Sequence, residues 1–303
     1  MKKILIVGGT GFIGYHFAKK CLKKNLLVFS ISYSKPKKIR FLKKVKYICV
    51  DISKKFKLKK KVENLKFDYV VNFGGYVDHS KKKRIIDSHF IGVKNLVQCL
   101  DRSNIKSFIQ IGSGLEYGHA KSPQSEKLNC KPLSYYASAK LSATKYLINE
   151  YKKNNLPVTI LRLYQIFGPY QDLNRLIPIT IYNSILNKTF FCSSGKQLRD
   201  FMYISDCIHA VYICLKNKKS KGEIINLGTG SPRKVKDIIL NISKVIGSGK
   251  PVFNKFEMRD EEVNMQFPSV MKARRILGWK SRVSFTSGLK KTISYYKKNY
   301  LNI

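Results

Sequence analysis

The 303-residue sequence predicts an α/β fold, a doubly wound parallel sheet with helices on both faces. Short apolar runs alternate with amphipathic stretches through its first half, and a glycine-rich turn joins the first run to the first helix. No internal repeat, low-complexity tract or long linker breaks the pattern. Parallel strands need crossovers, so repeated strand–helix–strand order puts helices on both sides of one sheet.

Taken in order, buried strands are expected at Lys3–Gly8 (KILIVG), Leu26–Ser30, Val45–Val50, Tyr69–Phe73, Ser107–Gly112 and Pro157–Leu163. Helices are expected between them at Tyr15–Lys24 and His89–Asp101; in the second, Phe90, Val93, Val97 and Leu100 share one face. The opening apolar run is short and ends in glycines, so it reads as a strand and not as a signal peptide. No later run approaches the roughly 18 apolar residues of a spanning helix.

Composition narrows the class. The apolar share, 44%, suffices for a sizeable core. The 7 cysteines are scattered, with no C-x-x-C pair, which argues against a disulfide framework or a zinc site and for the reducing cytoplasm. No metal is expected. The chain carries 59 Lys and Arg against 18 Asp and Glu, a formal charge of +41. The lysines interrupt amphipathic segments everywhere, as in Lys59-Lys60-Lys61 and Lys81-Lys82-Lys83-Arg84, and do not form one basic stripe interleaved with aromatics. They read as solvated faces, and no specific nucleic-acid partner is expected.

The turn GGTGFIG follows the first strand and opens the first helix. Gly8 suits the tight bend, Gly11 lets backbone approach a pyrophosphate, and Gly14 lets helix and strand pack closely. The N–H groups of Phe12, Ile13 and Gly14 then present a positive helix end to phosphate. After the second strand a ribose-binding acid is missing: SISYSKPKKIR offers Ser32, Lys35, Lys37, Lys38 and Arg40. Those residues suit a 2′-phosphate, which tilts the cofactor toward NADP without removing NAD. Asp51, ahead of Ile52, either accepts from the adenine amine or caps the Ile52-Ser53 turn.

In SYYASAKLSATKYL, Tyr136 and Lys140 lie four apart on a helix, roughly 5–6 Å between Cβ atoms. An ammonium there, beside an oxidised nicotinamide, favours the phenolate and lowers a pKa that starts near 10. Such a tyrosine can exchange a proton with a sugar hydroxyl or ketone while hydride moves. Ser113, at a strand C-terminus in IGSGLEYG, is the candidate to hold the reacting oxygen.

With these motifs the sequence resembles the extended short-chain dehydrogenases/reductases of the NAD(P)-dependent nucleotide-sugar epimerase/dehydratase family. GGTGFIG, SGLEYG, YASAK, RLYQIFGP, QLRDFMYISD, INLGTG and ARRILGW resemble its motifs along almost the whole chain. The resemblance implies a Rossmann-like domain of residues 1–166 plus about 200–235, and a smaller, discontinuous nucleotide-sugar domain of 167–199 and 236–303. It implies that Tyr136 is the general acid/base, that Lys140 orients the cofactor ribose, and that Ser113 holds the reacting oxygen. Arg199 and Arg259 would meet a nucleotide diphosphate, Gln165 would face the sugar, and the chain would form a homodimer.

Departures refine this. The dehydratases of the family carry an Asp-Glu pair after the Ser/Thr. Here Gly114 and Leu115 stand there, and Glu116 comes one position late, so 4,6-dehydration is disfavoured. His89 replaces an asparagine, either keeping its hydrogen bonds or sitting as a satisfied core histidine. Gly74-Gly75 replace alanines near the pyrophosphate, and Asp78, His79 and Ser80 enter the loop that meets the sugar. The function expected is an NAD(P)-dependent nucleotide-sugar epimerase moving hydride at a ring carbon, C4. An NADPH-dependent 4-keto-sugar reductase is the alternative, and a non-catalytic dinucleotide- or RNA-binding relative a third.

Overall fold

The first strand, β1 (Lys3–Val7), shows why the sheet is covered twice. Ile4 and Ile6 face one apolar cluster, Leu5 and Val7 another, and all four are buried. Successive residues of a strand point to opposite faces, so a strand buried on both belongs mid-sheet between helical layers. The computed structural model, which describes residues 1–76, 81–257 and 262–300, has that arrangement.

β1 is followed by α1 (Phe12–Leu22), β2 (Leu27–Ser32), β3 (Lys46–Cys49), α2 (Lys55–Val62), β4 (Tyr69–Asn72), α3 (Lys82–Ile86) and α4 (Gly92–Cys99). Then come β5 (Ser107–Ser113), α5 (Tyr135–Asn154), β6 (Val158–Leu163), β7 (Gln165–Phe167), α6 (Leu176–Ile185), β8 (Thr189–Phe191), β9 (Leu198–Arg199) and β10 (Phe201–Tyr203). The chain closes through α7 (Ile204–Lys216), β11 (Ile224–Leu227), β12 (Arg233–Lys234), α8 (Val235–Ile246), β13 (Lys250–Val252), β14 (Met265–Gln266), α9 (Met271–Leu277) and α10 (Phe285–Tyr300).

Seven strands form one parallel sheet in the order β11-β6-β5-β4-β1-β2-β3. All six strands expected in the first half are in it. The chain runs outward from β1 to β3, then crosses back to β4, so strand order reverses between β1 and β4. Ligands of open parallel sheets sit at that switch, beyond the strand C-termini. On one face Phe17 and Cys21 of α1 pack with Cys207 and Val211 of α7; on the other Leu58 of α2, Leu96 of α4 and Leu147 of α5 meet. Each such side chain contributes roughly 1.5–3 kcal/mol of burial. Short strands elsewhere pair among themselves: β9 with β12 and β14, β8 with β13, β7 with β10.

One helix differs from expectation. The run begins at Lys82, not His89, and Asp87–Ile91 form a wider π-type turn before α4. π turns re-aim side chains and recur at functional sites; this one carries His89. Among the described residues, no helix is long and apolar enough to cross a membrane.

Candidate active site

A cleft of about 830 Å³ opens at the switch point, lined by the glycine turn, the ends of β2, β4 and β5, the start of α5 and the segment after β7. Its floor is backbone. Gly8 has φ +77°, and a Cβ there would lie 2.8 Å from Gly74 N; a Cβ on Gly14 would lie 2.2 Å from Gly8 O. Gly11 is the N-cap of α1 with no side-chain capping bond, so the first N–H groups of that helix are left to the cleft. A glycine cradle below an uncapped helix end fits a dinucleotide pyrophosphate.

The adenosine side is partly as expected. Ser32, Asp51 and Ile52 line the cleft. Ser32 Oγ accepts from Thr10 N at 3.4 Å, while Asp51 Oδ1 accepts from Ser53 N at 2.9 Å and so does cap its turn. Asn95 secures that turn by donating to the Ile52 and Ser53 carbonyls, both at 2.9 Å. Of the cations expected beside a 2′-phosphate, Lys35, Lys37, Lys38 and Arg40, none is on the cleft wall. Lys35 is exposed and off the cleft wall. Arg40 is buried and donates from both terminal nitrogens to Asp172, at 3.0 and 3.2 Å, and Lys37 Nζ joins the same carboxylate at 2.7 Å.

At the inner end the structure brings Ser113, Tyr136, Lys140 and Gln165 to one wall. Ser113 ends β5. Tyr136 sits in the first turn of α5, which Ser134 caps by accepting from Ala137 N at 3.2 Å. One face of α5 is buried at Ala137, Lys140, Ala143, Thr144 and Leu147, with helical spacing, so Lys140 is drawn inward. Its Nζ donates to the Ile111 carbonyl at 2.8 Å and lies 5.8 Å from the centre of the Tyr136 ring.

Burial pushes the Tyr136 phenol up to about 12; hydrogen bonding with Ser113 and the charge of Arg175 oppose it. Burial pushes the Lys140 ammonium down to about 8, against the pull of Glu116. Without a cofactor's charge, desolvation outweighs the charges around Tyr136, and the Lys140 ammonium is turned to a carbonyl.

Behind this wall, Glu116 is 0% exposed and anchors the corner. Its Oε1 accepts from Ser113 N at 2.8 Å; its Oε2 accepts from Arg162 Nη2 at 2.7 Å and Thr144 Oγ1 at 3.0 Å. Glu116 does not line the cleft. A Cβ on Gly114 would come within 2.6 Å of the Tyr164 ring, itself on the cleft wall.

His89 is buried and lines the cleft, with its ring 4.9 Å from that of Tyr136 and nearly perpendicular. Its Nε2 bonds the Tyr76 carbonyl at 2.9 Å. Gly75 has φ +150°, and a Cβ there would fall 1.8 Å from His89 Cε1. The two departures noted in the sequence are thus one: the imidazole fits because position 75 is glycine.

Arg199 is buried in β9, off the cleft wall, where it donates to Glu262 and to the Leu198 carbonyl, the latter at 2.8 Å. Arg259, Asp78, His79 and Ser80 lie outside the described residues. Sequence reasoning missed Tyr164, Asp172 and Arg175, all on the cleft wall. Tyr164 lies inside the RLYQIFGP motif and the other two a few residues beyond it, which was their only signal.

A switch-point cleft over a glycine cradle, with serine, tyrosine and lysine at its inner end, defines a dinucleotide-dependent α/β enzyme. The model of the NAD dependent epimerase/dehydratase family matches residues 4–228, and the chain belongs to that family. It is 28% identical over 325 residues, 99% of this chain and 91% of that protein, to a human dTDP-D-glucose 4,6-dehydratase. It is 27% identical over 306 residues, 92% of each chain, to the UDP-glucose 4-epimerase of Lactobacillus helveticus. The structure of UDP-glucuronic acid 4-epimerase from Bacillus cereus, in complex with UDP-glucuronic acid and NAD, has a TM-score of 0.88 at 27% identity, covering 98% of this chain and 100% of that one.

Proposed function

We propose that this chain is an NAD-dependent nucleotide-sugar 4-epimerase. One observation carries that choice within the family: Ser113, Tyr136 and Lys140 stand together while the two positions after Ser113 are Gly114 and Leu115. Removing water from a sugar needs an acid for the leaving hydroxyl and a base for the carbon-bound proton. Glu116, the nearest carboxylate in sequence, is held beneath the corner by Arg162, Thr144 and the backbone of Ser113.

Tyr136 takes the proton of the C4 hydroxyl and later returns it, and the Ser113 hydroxyl holds the same oxygen throughout. Lys140 would bind the nicotinamide ribose, and the N–H groups of Phe12, Ile13 and Gly14 would hold the pyrophosphate. NAD supplies the hydride acceptor and donor and, when oxidised, a positive ring that brings the raised phenol of Tyr136 within reach of deprotonation. Gln165 and Arg175 reach the sugar side of the cleft. The O4 proton would pass to Tyr136 as the C4 hydrogen leaves as hydride, giving a ketone; hydride returned to the opposite face of C4, with the proton returned to the oxygen, would invert the carbon.

The reductase reading rested on free cations after β2. With Lys37 and Arg40 bound to Asp172 it loses most of its support. The test is product identity by NMR after incubation with UDP-glucose, UDP-glucuronate or dTDP-glucose and NAD. A C4 epimer is expected; a 4-keto-6-deoxy product, or turnover only of a 4-keto sugar with NADPH, would overturn the reading.

A further inference from the structure

The acid that NAD-binding sheets usually carry after the second strand is absent here, yet an acid reaches that side of the cleft from elsewhere. Asp172 lies in the segment between β7 and α6 and lines the same cleft as Ser32, Tyr33 and Ser34 at the end of β2. Lys37 and Arg40 do not line it. Arg40 is buried and Lys37 is exposed to solvent.

We propose that Asp172 is the residue that sets cofactor choice, favouring NAD and rejecting the 2′-phosphate of NADP. The inference rests on the cleft being a dinucleotide site. Arg40 grips Asp172 with both arms of its guanidinium, a fork geometry that holds a carboxylate in one orientation, and Nη1 also donates to the Tyr170 carbonyl at 3.2 Å. Oδ1 accepts from Lys37 and from Arg40 Nη2, whereas Oδ2 accepts only from Arg40 Nη1 among the described bonds. A carboxylate oxygen accepts two donors, so Oδ2 has room for a ribose hydroxyl. The side chain remains 39% exposed for that contact. A phosphate monoester carries about −1.5 to −2 at neutral pH. It would meet a carboxylate on the cleft wall, and would have to displace it to reach Arg40, which is 5% exposed and bound to that carboxylate. Partial burial pushes the Asp172 carboxyl up, but Arg40 and Lys37 outweigh it and hold it below the ordinary carboxylate range, so it stays charged at neutral pH.

Calorimetric titration of the full chain with NAD and with NADP tests this, alongside Asp172→Asn and Lys37→Ala. Both variants break the Lys37–Asp172 bridge, but only the first removes the negative charge. The wild type is expected to bind NAD about tenfold or more tightly than NADP, Asp172→Asn to narrow or invert that ratio through tighter NADP binding, and Lys37→Ala to keep the wild-type preference. An unchanged ratio in Asp172→Asn, or the same change in both variants, would overturn the proposal while leaving the dinucleotide site intact. Failure of the wild type to bind either dinucleotide would overturn both. Thermal melts of the variants confirm that folded protein is titrated.

Discussion

Two polar clusters sit back to back at the end of β5, built from the same two elements. Ser113 and Glu116 come from one corner, Lys140 and Thr144 from successive turns of α5. Glu116 meets an opposite charge in Arg162 and two further donors, and both partners of that ion pair are at most 2% exposed. Lys140 is as deeply buried, but its hydrogen bond goes to a neutral carbonyl. The first cluster is balanced and holds geometry. The second keeps an unneutralised charge beside a phenol whose proton burial holds tightly, the condition in which a bound ligand's charge decides where protons go.

The contrast can be broken from either side. The largest effect is expected from Tyr136→Phe, which should lower kcat on the order of 10³-fold while NAD binding and thermal stability stay near wild type. Comparable activity in that variant would remove Tyr136 from the chemistry. Glu116→Gln or Arg162→Met should each cost about 3–5 kcal/mol in denaturant unfolding, because each strands a buried charge. The double variant should recover much of the loss, which a double-mutant cycle reads directly.

Lys140→Met separates burial from charge. The folded-state pKa of about 8 lies below the unfolded value, so below pH 8 the folded protein bears the full penalty of a buried ammonium. That penalty is relieved as pH rises through 8 and is gone above the unfolded pKa. Wild-type stability measured relative to Lys140→Met should therefore rise between about pH 8 and 10, by at most about 3 kcal/mol. A flat difference would mean that Lys140 is neutralised within the fold. The smallest effect is expected from Gly114→Ala, where the new Cβ meets the Tyr164 ring. About 1–2 kcal/mol of destabilisation and a modest rise in KM would show the ring giving way.

Much of this was legible in the sequence because it is written in local spacing. The strands show as apolar runs, the cradle as three glycines, and the candidate catalytic pair as a tyrosine and lysine one helical turn apart. The double burial of β1 follows from its unbroken apolar run. The role of Asp172 was not legible, because the carboxylate and its partners Lys37 and Arg40 are more than 130 residues apart and nothing local links them. Glu116 was noticed only as a misplaced acid; its partner Arg162 sits inside a strand, and pairing of adjacent strands brings them together. The hydrogen bond from Lys140 to the Ile111 carbonyl was hidden for a related reason: spacing shows that two side chains are neighbours, but not toward which carbonyl an ammonium turns.

The central claim is that Tyr136 and Ser113 handle the proton while one hydride leaves C4 and returns to it. Its most direct test uses the sugar nucleotide found in the product screen, labelled with deuterium at C4 and incubated with the protein and NAD. The account predicts a product inverted at C4 that retains the label there, and none from Tyr136→Phe. Label appearing at another carbon, or lost to solvent, would contradict it.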